Sequence, residues 1–379
     1  MKRLEEYITV GTKRLRCGYT TGTCAAAAAR AAAELLVRGV AIPAVCVQTP
    51  AGLDVLVEVE EHEAGPGWAQ CAVRKDAGDD HDVTDGALVV VRVEWCAEPG
   101  IRIVGGTGVG RVTRAGLDQP VGEAAINSVP RRMIREQVET ALNDMRDVLV
   151  TVSVPEGEEL ARRTFNPRLG IVGGISIIGT SGIVRPMSEE ALVASIEVEM
   201  RTIAAAGMRD LFVVPGNYGR DFACSQLGLR GDEAVQCSNY FGATLDAACV
   251  LGFERVLIVG HLGKMVKVAA GVMNTHSRVA DCRLEVLAAH AALVGASQAV
   301  VRQIMESATT DAALEALYAN ELAEATMESL VKALAEKLNH RVAGRLQVEA
   351  VVFSNVRGVL GQTPGAQALM QYWRDGEKR

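Results

Sequence analysis

Along the first half of the chain, apolar and polar positions alternate in short runs. Val45 to Gln48, Val55 to Val59, Ala69 to Arg74, Leu88 to Glu94 and Leu149 to Val154 are rich in β-branched residues and are separated by turn formers. Each run predicts a strand, and the alternation predicts a sheet with one solvated face. Ahead of them, Cys24 to Val37 is almost pure helix former, with the hydroxyls of Thr20, Thr21 and Thr23 placed to cap it. Residues 1–160 therefore read as a sheet-rich α+β N-terminal domain.

From Phe165 the pattern changes to apolar runs followed by longer helical stretches, as in βαβ units. Strands are expected at Ile171 to Ile178, Leu211 to Val214, Val235 to Ser238, Val256 to Val259 and Val348 to Phe353. Helices are expected at Glu189 to Ala206, Phe241 to Leu251, Leu284 to Val294 and Glu321 to Leu338. Residues 161–379 thus read as a Rossmann-like parallel-sheet domain, and the whole chain as a two-domain α/β protein. Open parallel sheets bind ligands at the carboxyl ends of their strands. The loops to inspect are Gly179 to Gly182, Pro215 to Arg220, Asn239 to Gly242 and Gly260 to Lys264.

Composition narrows the classes. The chain has 379 residues, a formal net charge of −7, and nine cysteines without a C-x-x-C pair or zinc-type spacing. A nucleic-acid partner is not expected of such an acidic chain, and the thiols read as reduced. Met1 to Arg16 lacks an apolar stretch of the kind a secretory signal needs, and Leu169 to Val184 is too short and too polar to span a bilayer. A cytoplasmic protein without a membrane partner is expected; a homo-oligomer is left open.

Several motifs carry candidate chemistry. Gly105 to Gly110 resembles the first glycine loop of a nucleotide or S-adenosylmethionine site, but Arg111 to Arg114 beyond it reads as a strand, so a glycine hairpin or bulge competes with ligand contact. Gly260 to Lys264 lacks the spacing and hydroxyl of a P-loop, which leaves a strand-loop-helix turn where His261 could move a proton and Lys264 could meet a carboxylate, or a plain capped turn. At Thr20 to Cys24, capping, anion contact and an activated Cys24 thiol are all open. The acidic run Asp76 to Asp85 has the oxygen density of a hard-metal loop without EF-hand spacing, so a solvated turn or an active-site rim competes with a metal role. Asn274 to Arg278, followed by Asp281 and Arg283, reads as an active-site wall or a connecting loop.

In order and position, Gly18 to Cys24, Lys75 to Asp80, Gly108 to Gly110, Pro120 to Glu123, Thr164 to Gly170, Gly173 to Ser176, Gly179 to Pro186, Gly216-Asn217, Gly260 to Lys267 and Thr275 to Ser277 resemble the cobalt-precorrin-5B C1-methyltransferase family of anaerobic cobalamin synthesis. The resemblance implies methyl transfer from S-adenosylmethionine to C1 of a cobalt-bound tetrapyrrole, giving cobalt-precorrin-6A. No protein-bound metal is expected. Under this reading His261 and His276 are the candidate proton acceptors. Gly173, Gly174, Gly179, Thr180, Ser181, Gly216 and Asn217 are candidates for the donor, and Arg168, Arg185, Arg220, Lys264, Arg278, Thr21 and Thr23 for the carboxylate-rich substrate. The rivals are a reductase of a related macrocycle, which would need a dinucleotide fingerprint, and a non-catalytic corrinoid carrier.

Overall fold

A computed structural model of the chain describes residues 4–143 and 147–374, the Asp232 side chain excepted. The chain forms two compact units that divide after Glu189. In the first, β1 (Tyr7–Val10) and β2 (Lys13–Arg16) form a hairpin, and β3 (Gly18–Tyr19) leads into α1 (Thr21–Arg38). Thr20 is extended and accepts the Thr23 N–H on its side chain at 3.3 Å, while Gly39 closes the helix in the left-handed conformation at φ 65°. The alanines from Ala25 to Ala33 have no exposed surface. Their small side chains let α1 lie close to its neighbours on several sides. Buried Glu34 is answered by Arg30 and Arg38, each one turn away at 3.0 Å.

Next come β4 (Ala44–Gln48) and β5 (Asp54–Glu58), an antiparallel pair with every second residue buried. They are followed by β6 (Glu61–Gly65), β7 (Trp68–Arg74), β8 (Leu88–Trp95), β9 (Ile101–Gly105), β10 (Arg111–Val112), α2 (Ser128–Leu142) and β11 (Val148–Ser153). A five-stranded sheet runs β6-β7-β8-β11-β9, and α1 packs on β7, β8 and α2. After α3 (Gly157–Ala161) and α4 (Asn166–Leu169), β12 (Ile171–Val172) pairs with β10, and β13 (Ile183–Val184) pairs with β3.

The run Ile171 to Ile178 is therefore not the first strand of the parallel sheet. Only Ile171–Val172 is a strand. Beyond it, Ile175 and Ile177 bridge Val109 and Ile126 and are buried in the first unit's core. Residues 161–189 look back to partners more than fifty positions earlier, so the unit boundary falls at Glu189 where the local pattern suggested 160.

The second unit contains α5 (Glu189–Ala205), β14 (Asp210–Val214), α6 (Asn217–Leu227), β15 (Val235–Gln236), α7 (Phe241–Val250), β16 (Arg255–His261) and α8 (Leu262–Ala269). Then follow α9 (Arg283–Leu293), α10 (Gln298–Met305), α11 (Thr310–Ala319), α12 (Ala323–Val342), β17 (Gln347–Ser354), β18 (Gly358–Gln362) and α13 (Ala366–Arg374). The sheet order is β15-β14-β16-β17-β18, parallel except for β18. Alternate residues of each central strand enter separate cores. Leu211, Val213, Val256 and Ile258 join the core built with α7, α8 and α12, whereas Phe212, Val214, Leu257 and Val259 meet α6 and α13. Helices on both faces explain why these strands are apolar throughout instead of alternating.

Candidate functional site

Strand β14 ends at Val214, and Pro215-Gly216 carries the chain into α6. Gly216 has φ 169°, an extended backbone open to any residue, and an added Cβ there would meet nothing within 4 Å. Neither backbone strain nor crowding calls for glycine at this place. Its effect is to leave bare the wall of a cleft of about 440 Å³ at the carboxyl ends of β14 and β16. That volume lies within the range of small-molecule sites, roughly 300–1,000 Å³. Tyr218, Asn239, Thr275 and Ser277 add polar groups to the wall.

At the end of β16, His261 caps α8. Its Nδ1 accepts the Gly263 N–H at 3.1 Å, so the proton of the neutral ring sits on Nε2, which faces Asp311 at 3.6 Å. The Phe353 ring meets the imidazole edge-on at 5.4 Å. Burial holds the His261 pKa below the ordinary imidazole value, against the pull of Asp311. His276 repeats the pattern. Its Nδ1 accepts the Arg278 backbone N–H at 3.1 Å, and the His276 backbone N–H donates to Asn274 Oδ1 at 3.1 Å. Both imidazoles are thus held as Nε2–H tautomers by their own loops.

Three cations line the same cleft. Lys264 donates to the Ser238 carbonyl at 3.0 Å, and burial lowers its pKa. Ser238 sits at φ 52°, a left-handed conformation uncommon outside glycine, which turns its carbonyl toward the lysine. Lys267 is 4% exposed and donates to the carbonyls of Thr275 at 3.1 Å and Ala280 at 2.8 Å. Arg283 grips Asp281 through two bonds of 2.7 and 3.0 Å.

Of the residues singled out in the sequence, His261, His276, Gly216 and Lys264 meet at this cleft. Asn217 opens α6 beside it and accepts from Gln236 at 3.3 Å. Arg220 lies on α6, 3.6 Å from Asp221, and Arg278 is exposed; neither lines the cleft. Arg283 lines it together with Thr275, His276 and Ser277 of the candidate wall, and Lys267, which the sequence does not single out as a site residue, lines it too. The available signal was a lone lysine inside the apolar run Met265 to Ala269.

The remaining candidates belong to the first unit. The Thr21 hydroxyl donates to the Ile178 carbonyl at 3.2 Å and accepts its N–H at 3.0 Å, and buried Thr23 donates to the Gly182 carbonyl at 2.7 Å. Both hydroxyls thus join the start of α1 to the loop 178–182. Gly179 packs against Thr20, and Gly174 against the backbone of Gly108 and Gly110, so crowding explains both glycines. Gly173 is open, Thr180 and Arg185 are exposed, Ser181 bonds the Ile183 carbonyl at 2.9 Å, and the Arg168 carbonyl accepts from Arg114 at 3.1 Å.

The Gly105 to Gly110 loop bonds Ile175 and runs into β10, as a bulge does. Cys24 is fully buried, its thiol pushed up to about 12 by desolvation, which removes it as a nucleophile. In the acidic loop Asp76 holds Arg16 through two 2.7 Å bonds, Asp82 holds Lys75 at 2.6 Å, and Asp85 and Asp80 accept the N–H groups of Ala77 and Met187. Among the described residues no group of three or more His, Cys, Asp or Glu could hold a metal ion. Nor is any helix among them long and apolar enough to cross a membrane.

Residues 8–186 match the family model described as CbiD, and residues 274–364 match that of the CbiD C-terminal domain. The chain belongs to the CbiD family. The first match ends near the Glu189 boundary of the compact units. A relative from Ruminiclostridium cellulolyticum, named cobalt-precorrin-5B C(1)-methyltransferase, is 46% identical over 93% of this chain and 92% of its own. One of the same name from Alkaliphilus metalliredigens is 43% identical over 97% of each. The crystal structure of the cobalamin biosynthesis protein (cbiD) from Archaeoglobus fulgidus is 32% identical, covering 72% of this chain and 86% of that one, with a TM-score of 0.39.

Proposed function

We propose that this chain is an S-adenosylmethionine-dependent methyltransferase that acts on C1 of cobalt-precorrin-5B to give cobalt-precorrin-6A, with the cleft of the second unit as part of its active site. The observation that carries the reading is identity of 43% over 97% of the chain, and 46% over 93%, to relatives named cobalt-precorrin-5B C(1)-methyltransferase. The cleft's position supports it. Ligands of open parallel sheets bind where strands end and helices begin, and a Rossmann-like reading of the second unit rests on its four parallel strands with helices on both faces.

The residues present fit a small nucleoside-bearing co-substrate. Gly216 leaves the wall bare, and α6 presents the N–H groups of its first turn above Asn217. S-adenosylmethionine supplies an electrophilic methyl group, so the chain's task is alignment, and holding two reactants at near-attack distance can contribute roughly 7–11 kcal/mol. No nucleophilic thiol is called for. Cys24 and Cys237 are both buried and pushed up to about 12. His276 lines the cleft, and because its Nδ1 already accepts from its own loop, its Nε2–H is a hydrogen-bond donor and not a proton acceptor. A reductase finds less support, because the Gly105 to Gly110 loop enters a strand where a dinucleotide site needs a helix.

The test is anaerobic incubation with S-adenosylmethionine and cobalt-precorrin-5B, followed by mass spectrometry. A gain of one methyl group is expected. Macrocycle bound without methylation would instead support a carrier. A Gly216→Leu variant should melt like the parent, since its backbone and surroundings accept a side chain, while S-adenosylhomocysteine binding weakens by roughly tenfold or more. Unchanged binding would move the donor away from this cleft.

A further inference from the structure

The cleft's charge is unbalanced in a way that identifies a ligand group. Among the described residues its lining includes Lys264, Lys267 and Arg283 but no Asp or Glu, in a chain whose net charge is −7. Two of these cations have partners. Arg283 is clasped by Asp281, and Lys267 is enclosed by two carbonyls with the same Asp281 at 3.9 Å. One carboxylate therefore serves two cations.

Lys264 has no carboxylate within ion-pair distance among the described residues; its one hydrogen bond goes to the Ser238 carbonyl. The groups that face it leave its charge unanswered. Lys267, on the same helix, repels it. Cys237 stays protonated because burial pushes its thiol up to about 12. His261 is neutral, and Asp311 beside it is engaged by the Ser354 hydroxyl at 2.6 Å. Burial and Lys267 together lower the Lys264 pKa, whereas an anion would restore it. A desolvated ammonium without a counter-ion is costly to keep, and an ionised partner makes a hydrogen bond about twice as strong as a neutral one.

We propose that the cleft is a carboxylate seat, in which Lys264 Nζ receives a carboxylate oxygen of the ligand and the Nε2–H of His276 supplies a second donor. The carboxylate could come from either of two sources under the methyltransferase reading on which this inference rests: the amino-acid end of the methyl donor, or an acetate or propionate arm of the macrocycle.

The experiment uses the full chain and three proteins: the parent, Lys264→Gln and Lys264→Arg. Glutamine keeps a donor for the Ser238 carbonyl and removes only the charge, and melting temperatures verify that each variant is folded. S-adenosylhomocysteine and 5′-methylthioadenosine, which lacks the amino-acid end, are titrated by calorimetry, and KM for cobalt-precorrin-5B is measured anaerobically. Lys264→Gln should weaken one carboxylate-bearing ligand by roughly 10- to 100-fold, with Lys264→Arg largely restoring it. Loss confined to S-adenosylhomocysteine, with methylthioadenosine unchanged, assigns the seat to the donor. A raised KM for the macrocycle alone, with kcat retained, assigns it to the substrate. Parent protein that binds S-adenosylhomocysteine but transfers no methyl group would defeat the activity and leave the seat standing if Lys264→Gln weakens that binding. Parent protein that binds neither ligand, or a folded Lys264→Gln that matches it for both, would overturn the seat.

Discussion

At the scale of single residues, hydrogen-bond direction tells more than residue type. A histidine at a strand end suggests a proton acceptor, yet His261 spends Nδ1 on the Gly263 N–H and so serves first as a helix cap. This has a consequence for pH. Burial lowers the folded-state pKa of His261, and of His290, below the usual value near 6.5. As pH falls through that value the unfolded chain takes up protons that the folded chain refuses, so stability is present above it and lost on acidification. The denaturation midpoint should drop between about pH 7.5 and about pH 5.5, above the range where most carboxylates titrate. His261→Asn, which can still cap α8, should show a shallower drop. Parallel curves for parent and variant would rule out His261 as a contributor.

At the scale of elements, α1 shows how composition becomes packing. Alanine is the best helix former, and here it also removes the bulk that would hold the helix away from β7, β8 and α2. Ala28→Leu keeps the helix propensity but forces a larger side chain into a site with no exposed surface. It should destabilise the chain by about 1–3 kcal/mol, read as a lower denaturant midpoint, and a neutral result would mean that the surroundings of α1 yield easily. In the second unit the equivalent logic belongs to β14 and β16, where burial on both faces leaves function to the loops at the strand ends.

For the whole molecule, separate cores matter most. Residues up to Glu189 and those from Glu190 onward bury distinct hydrophobic clusters. Calorimetry should therefore show two overlapping transitions, with a total heat exceeding that of a single two-state step. A ligand of the cleft should raise only the transition that Lys267→Met also lowers, because that lysine ties the 275–280 loop to α8 inside the second unit. One sharp two-state transition would show that the units unfold together.

The local residue pattern specifies the elements with a periodicity of their own: α1 from its alanines, the alternating strands of the first unit, and the apolar strands Leu211–Val214, Val256–Val259 and Val348–Phe353. It also marked the loops that form the cleft, since glycine and polar residues at strand ends are a local signal. Which of those residues are available to a ligand depends on neighbours that only folding brings together. Gly179 and Gly216 look alike in the chain, but Thr20 crowds the first and nothing crowds the second. Thr23 is spent on Gly182, 159 positions away, and Lys267 on carbonyls of a loop with no apolar pattern of its own. The run Ile171 to Ile178 has the composition of a parallel strand but packs into the first unit, because β10, Val109 and Ile126 pair with it there. Periodicity reports what each stretch can bury; partners distant in sequence decide against what.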